Sequence, residues 1–180
     1  MKEPVLLSIS LARAIGVTSS DGYAFTTRDT GLGQQPFRSA SVFNFYPPDY
    51  PLPLGEPLVS PPSKLMTTAT VIARHNLIYD WTVSGDVSSR AEFRPQTSFD
   101  SAVGTNPYWA GWEAYGNDVD GQLNRVNLML LENGLTGAQY AAMRAAMVAI
   151  TNSNPATQAR KRAQVALYLA ASSPLFQIDR

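Results

Sequence analysis

The side chains best suited to acid–base or nucleophilic chemistry are few in this sequence. His75 is the only histidine, so a serine hydrolase would need it as the general base. The nearest acid in sequence is Asp80, and no Gly-x-Ser-x-Gly turn presents a serine nucleophile. A half-buried, hydrogen-bonded histidine beside Asn76 is the ordinary interpretation. We therefore assign no catalytic residue and keep His75 and Asn76 as candidate binding residues.

The string GNDVDGQLN offers the best local set of oxygen ligands for a metal. Asp118 and Asp120 occupy the third and fifth positions of a calcium-loop pattern. Gly116 stands at its first position and Asn127 at its twelfth, where a bidentate glutamate belongs. Acidic residues also cap helix starts, which explains both aspartates without a metal. We expect no metal and no cofactor.

Charge patterning excludes some classes of partner. Lysine plus arginine equals aspartate plus glutamate, at 14 each, so no excess of positive charge exists to hold nucleic acid. The basic run of residues 160–162 is predicted to be a solvated helix face. No apolar run approaches the roughly 20 residues of a membrane-spanning helix, and the chain has no cysteine for a disulfide or thiolate site.

An aromatic cluster lies in a region without clear periodicity. Tyr108, Trp109, Trp112 and Tyr115 could form a platform on which sugar rings stack. Aromatic side chains in such a segment also serve to pin it to the core. Both interpretations stay open, and Trp109 and Trp112 are candidate binding residues.

Apolar periodicity and capping residues predict a mainly α fold. Helices are expected over about 3–15, 60–81, 119–132, 136–150 and 154–172. Two core stripes are predicted near the N-terminus, one in each of the first two helices. The first comprises Val5, Ile9 and Ala12, with Leu6 as a further candidate, and the second comprises Leu65, Ala69, Ile72, Asn76 and Tyr79.

The last two predicted helices carry the strongest signals. Thr136 and Gln139 form a capping-box pattern, and Asn154-Pro155 is an N-cap followed by proline. Small residues at 159, 163, 166 and 170 predict close helix approach. The short connection between the two helices predicts a C-terminal helical hairpin.

Residues 36–62, which we call the strap, hold eight of the thirteen prolines and five aromatic residues. Flexible linkers rarely carry so many large apolar side chains. We therefore expect an ordered strap in an otherwise irregular helical domain. Phe43 and Phe45 are predicted to be buried against the helices, and Asn44 to bond backbone groups.

Two strings in the chain resemble a known bacterial family. GQQPFRSASVFNFYPPDY and ARKRAQVALYLAASSPLF are similar to the C-terminal part of proteins grouped as domain of unknown function 1800. KEP at residues 2–4 echoes the opening of that region. The family motif in the strap comprises Arg38, Ser39, Ser41, Phe43, Asn44, Phe45 and Tyr46. Ala40 and Pro62 depart from the pattern, since proline and glutamate are usual there.

The resemblance implies a helical, exported bacterial protein, periplasmic or secreted. Its members are longer, so residues 1–180 would be a single domain forming the C-terminal portion of such a protein. The implied partners are the missing N-terminal region and a sulfatase-like protein of the family called domain of unknown function 1501. The family supplies no catalytic residues.

These observations favour a noncatalytic structural or partner-binding role. One alternative is a fragment of a hydrolase-type enzyme acting on an envelope component or polysaccharide, with Asn44, His75 and Asn76 as polar site residues. Another is carbohydrate binding through Trp109 and Trp112.

Overall fold

The protein folds into a mainly helical structure, as predicted. A computed structural model describes residues 1–19, 29–35, 37–51, 58–84, 105–107 and 109–178. Seven α-helices lie within these ranges: α1 (Pro4–Ile15), α2 (Thr68–Thr82), α3 (Ala110–Glu113), α4 (Val119–Leu131), α5 (Gly137–Val148), α6 (Pro155–Ser172) and α7 (Pro174–Gln177). Strands β1 (Val17–Ser19) and β2 (Thr105–Pro107) pair antiparallel, and 3-10 turns span Asp29–Leu32 and Pro61–Leu65. Each of the seven helices contributes to one buried apolar cluster.

Helix α1 ends where the sequence predicts, but it buries a different face. Gly16 closes it in the left-handed conformation at φ 89°, which costs glycine little. Leu7, Leu11 and Ile15 are fully buried, whereas Ile9 is exposed. The predicted stripe is confirmed at Ala12, which is 3% exposed, and is wrong at Ile9, because α1 is apolar on several sides. The apolar periodicity is therefore compatible with two different buried faces of α1. The face that carries Leu7 and Leu11 is the one that packs in the core.

Helix α2 differs from prediction in both its start and its buried face. Ser60 begins only a 3-10 turn. Helix α2 starts at Thr68 and is capped by Thr67, whose hydroxyl accepts from the Thr70 amide at 3.2 Å. The predicted stripe through Ile72, Asn76 and Tyr79 is exposed. The buried stripe runs instead through Arg74, Leu77, Ile78 and Trp81. The sequence does not reveal this stripe, because it contains the charged residue Arg74.

The buried guanidinium of Arg74 donates hydrogen bonds to a main-chain oxygen and to a side-chain amide oxygen. Its Nη1 donates to the Lys2 carbonyl at 3.1 Å and to Gln177 Oε1 at 3.2 Å, and its Nη2 donates to the Lys2 carbonyl at 3.1 Å. The side chain thereby joins α2 to both ends of the described chain. Its burial lowers the pKa of Arg74, because desolvation disfavours the charged form.

The C-terminal hairpin forms as predicted. Thr136 and Gln139 make the capping box of α5, and Asn154 Oδ1 accepts from the Thr157 amide at 3.0 Å to start α6. Helix α6 packs against α5 and also against α4, α2 and α3. Ala159, Ala163, Ala166 and Ala170 are fully buried at these contacts.

Replacing Ala163 with leucine is expected to destabilise the protein by about 1–3 kcal/mol, because added methylenes would separate tightly packed helices. Ala156→Leu is the matched control, since Ala156 is exposed on the same helix. Urea unfolding followed by circular dichroism measures both variants. Equal stabilities for the two would contradict the close packing of α6.

The basic run of residues 160–162 is only partly the solvated face that was predicted. Lys161 is exposed, and Arg160 forms an ion pair with Glu113 of α3. Arg162 is 8% exposed and its Nε donates to the Met147 carbonyl at 3.2 Å. The prediction is therefore wrong for Arg162, which helps join α6 to the end of α5. Across the described ranges, no helix combines the length and apolarity that a bilayer crossing requires.

Candidate functional site

The described part of the strap, residues 37–51 and 58–62, is anchored at one end of α1. Glu3, just before α1, accepts hydrogen bonds from two side chains. One is the Tyr46 hydroxyl and the other is Gln34 Nε2, at 2.6 Å. Gln34 Oε1 in turn accepts from the Val5 amide at 3.1 Å, which satisfies a free N–H of the first helical turn.

Asn44 completes this anchor and shapes the strap. Its side-chain Nδ2 donates to the Tyr46 hydroxyl at 3.4 Å, and its main-chain N–H donates to the Ser41 carbonyl at 3.2 Å. Its φ of 68° lies in the left-handed region, which asparagine tolerates better than most residues. The prediction that the Asn44 side chain bonds backbone groups is wrong, because the side-chain partner is a hydroxyl.

The anchor brings together residues from three separate parts of the sequence. Glu3 belongs to the KEP string, Gln34 to the GQ pair, and Asn44 and Tyr46 to the central motif. Burial, together with the hydrogen bond and charge of Glu3, raises the pKa of Tyr46. The Tyr46 hydroxyl therefore stays protonated and remains a donor to the carboxylate.

Replacing Tyr46 with phenylalanine is expected to cost about 1.5–3 kcal/mol of stability, because it removes the hydrogen bond to the charged Glu3 acceptor together with the one accepted from Asn44 Nδ2. We also expect the Asn44 amide to exchange its proton faster. Tyr50→Phe is the matched control, since the Tyr50 hydroxyl has no hydrogen bond to a described residue. Hydrogen exchange of the two variants measures the effect. Unchanged exchange in Tyr46→Phe would show that the anchor does not hold the strap.

Beyond this anchor the strap presents apolar side chains to solvent. The prediction that Phe43 is buried is wrong: it is 61% exposed, while Phe45 is half-buried. Phe37, Val42, Leu58 and Val59 are exposed as well, and we use the name apolar patch for these four residues of the strap and Phe43. Phe37 also has a φ of 62°, which is strained for a bulky residue.

The other motif residues of the strap lie at its surface. Arg38, Ser39 and Ser41 are exposed, and Ser41 Oγ accepts from the Phe43 amide at 3.1 Å. A hollow of about 240 Å³ beside Lys64 is lined by Phe43, Asn44 and Phe45 along with their neighbours. Main-chain turns therefore set the strap conformation. Of the motif aromatics, Tyr46 belongs to the anchor and Phe43 is exposed to solvent.

The candidate polar residues Asn44, His75 and Asn76 do not form one site. Asn44 lines the hollow beside Lys64, whereas His75 lines a different, larger cleft at the other end of the strap. Asn76 is exposed on α2. His75 is exposed rather than half-buried, and its ring has no hydrogen bond to a described residue. The expected hydrogen-bonded histidine was thus wrong, and within the described ranges no acid orients this imidazole.

The structure places the two tryptophan candidates in or against the core. Trp112 is fully buried, and its Nε1 donates to the Ala14 carbonyl at 3.1 Å. The Arg125 guanidinium lies 4.3 Å from the Trp112 ring centre. Trp109 is half-buried against the same core. The pinning interpretation is therefore confirmed for Trp112, which has no free face for a sugar ring.

The aspartates of the GNDVDGQLN string have structural partners. Asp118 Oδ1 accepts from the Gly121 amide at 2.9 Å and caps α4, as the helix-start interpretation predicted. Asp120 accepts from Arg144 Nε at 2.8 Å and from the Tyr140 hydroxyl at 3.3 Å. The bond from Arg144 lowers the pKa of Asp120. Among the described residues, no group of three or more His, Asp or Glu side chains is placed to hold a metal.

Comparison of the chain with protein-family models, curated proteins and solved structures finds no match. The resemblance to domain of unknown function 1800 therefore rests on the two quoted strings and stays a prediction. The anchor formed by Glu3, Gln34, Asn44 and Tyr46 was missed by sequence reasoning. Its members come from three separate parts of the chain, at Glu3, at Gln34 and at Asn44 with Tyr46, and no local pattern links these parts.

Proposed function

We propose that this protein is a noncatalytic partner-binding domain whose apolar patch docks a second protein surface. The observation that carries the proposal is the contrast within the strap. Tyr46 and Asn44 are tied to Glu3 at the start of α1, whereas Val42 and Phe43 beside them point apolar side chains into solvent.

Physical chemistry supports docking at such a surface. Large exposed apolar patches are uncommon on monomers and mark interaction sites, and the strap exposes two pairs of apolar residues that are adjacent in the sequence, Val42–Phe43 and Leu58–Val59. Anchoring the strap before binding reduces the conformational entropy that association must overcome. Aromatic side chains such as Phe37 and Phe43 are the type that supplies most binding energy when a partner covers them.

The partner we propose is a protein at the bacterial envelope. The sulfatase-like protein of domain of unknown function 1501 is the first candidate, and the N-terminal region of the same, longer protein is the second. Both follow from the family resemblance. The domain would then act as a structural part of an exported assembly, periplasmic or secreted.

Isothermal titration calorimetry with each purified candidate tests this function. We expect saturable binding of the intact protein to one of the two. The binding should show a negative heat-capacity change, because apolar surface is removed from water. Absence of association with both candidates would contradict the proposal.

The enzymatic and carbohydrate-binding alternatives have no comparable observation in their favour. His75 and Asn44 lie at different hollows, so they do not form the polar site that a hydrolase-type fragment would use. Trp112 is buried, which removes one of the two tryptophan candidates for sugar stacking. We therefore propose a single function.

A further inference from the structure

The exposed side of α2 carries the residue pattern of a paired helix. Ala69, Ile72, Asn76 and Tyr79 follow one another at spacings of three, four and three residues, and all four are exposed. In the seven-residue repeat of paired helices these spacings define the alternating a and d positions, which face the partner helix. Ile72 is 56% exposed and Tyr79 is 48% exposed. We call these four residues the α2 stripe.

The α2 stripe is held in place by the rest of the fold. On the other side of the helix, Leu77, Ile78 and Trp81 are buried in the core. The Tyr79 ring packs edge-on against the Tyr168 ring of α6, with the ring centres 6.2 Å apart. A partner that covers the stripe therefore has little conformational entropy to remove from it.

No charged side chain interrupts the exposed side of α2. The exposed residues of this helix are Thr68, Ala69, Ile72, His75, Asn76 and Tyr79, and none of them is Lys, Arg, Asp or Glu. The basic residue of α2, Arg74, is 2% exposed, and its acidic residue, Asp80, is partly buried. Two copies of this surface can therefore approach each other without bringing like-charged Lys, Arg, Asp or Glu side chains together.

Asn76 indicates which partner the stripe fits. A single asparagine at an a position fixes the register and the number of strands in paired helices. Its side-chain amide both donates and accepts hydrogen bonds, so it is complementary to a second copy of itself. Asn76 lies between Ile72 and Tyr79 near the middle of the stripe, and its amide has no hydrogen bond to a described residue. The complementary surface is therefore another α2.

We propose that this protein forms a homodimer in which the α2 stripes of two copies pack together about a two-fold axis near Asn76. Each copy covers Ile72 and Tyr79 of the other, and the two Asn76 amides exchange hydrogen bonds. Standard interfaces contain about 20–30 residues a side, and the stripe is smaller, so the dimer is reversible and depends on protein concentration. The dimer does not require the apolar patch, which belongs to the strap rather than to α2.

Sedimentation velocity of the intact protein tests the dimer, at about pH 8, where histidine side chains are ordinarily neutral. We expect the weight-average sedimentation coefficient to rise from the monomer value towards the dimer value between about 5 and about 500 µM, the range suited to a weak interface. A monomer at the highest concentration would overturn the proposal, as would association beyond a dimer.

Charge-swapped variants locate the two-fold axis. Asn76→Lys and Asn76→Glu each bring two like charges together, so each should raise the dissociation constant at least about tenfold. An equimolar mixture of the two variants should form a heterodimer, because lysine then faces glutamate. Asn76 is exposed, so neither change should disturb the fold. A mixture that stays as monomeric as its components would contradict an axis near Asn76.

Two controls separate this dimer from other self-association. Leu128→Lys adds the same charge at a residue that is 60% exposed on α4, and it should dimerise like the unmodified protein. Val42→Ser with Phe43→Ser alters the apolar patch and should also leave the dimer unchanged. Weakening of the dimer in either control as strong as in Asn76→Lys would contradict pairing through the α2 stripe.

Discussion

Replacing Trp112 with alanine is expected to lower the free energy of unfolding by about 3–5 kcal/mol, the range for truncating a buried tryptophan. The ring is fully buried in the shared core, and its Nε1 holds the Ala14 carbonyl at the end of α1. Gln122 Nε2 also donates to the Trp112 carbonyl at 3.0 Å, so the surrounding chain is tied to α4. Denaturant unfolding measures the loss.

Trp112→Phe separates the hydrogen bond from the bulk of the ring. It keeps most of the packing but leaves the Ala14 carbonyl without its described partner, at an expected cost of about 1–3 kcal/mol. Oligosaccharide titration monitored by tryptophan fluorescence should be flat in the unmodified protein. A Trp112→Ala protein of native stability that had lost measurable sugar binding would show instead that Trp112 is a ligand platform.

The double substitution Val42→Ser and Phe43→Ser is expected to weaken partner binding by about 30-fold or more, equivalent to the 2 kcal/mol that defines a binding hot spot. Both side chains are exposed at 95% and 61%, so they add little to the stability of the isolated chain. We expect the free energy of unfolding to change by less than about 0.5 kcal/mol, as for most surface substitutions.

Leu128→Ser with Met129→Ser is the matched control for this experiment. These are also two adjacent exposed apolar residues, but they lie on α4 rather than on the strap. Their replacement should leave the partner affinity unchanged. Equal loss of affinity in both double variants would indicate a general effect of surface hydrophobicity rather than docking at the apolar patch.

Local capping chemistry made the C-terminal third predictable. The start of α5 is set by Thr136 and Gln139, and that of α6 by Asn154 and Pro155. These contacts span only a few residues, so the sequence alone specifies them. The small-residue face of α6 was also predictable, because its alanines recur at helical spacing along a single stripe.

Helices α1 and α2 show why buried faces are harder to predict. Each has two apolar stripes, and tertiary packing selects between them. In α2 the selected stripe contains Arg74, which sequence patterns treat as a surface residue. Its burial depends on carbonyl groups at Lys2 and Gln177, 72 and 103 residues away in the chain.

The strap was predicted to be ordered, but the locations of its aromatics were not. Burial of Phe43 was inferred from the general cost of exposing apolar surface. That cost does not tell which partner covers a side chain, and the described helices do not cover Phe43. The anchor through Tyr46 could not be predicted either, because its acceptor Glu3 is 43 residues away.

Photo-crosslinking between purified components is the most direct test of the partner-binding role. A benzophenone amino acid placed at position 43 of the intact protein, and in a separate variant at position 128, is irradiated in complex with the purified sulfatase-like candidate or the N-terminal region. We predict crosslinks from position 43 and none from position 128. A complex that forms but crosslinks only from position 128 would contradict docking at the apolar patch.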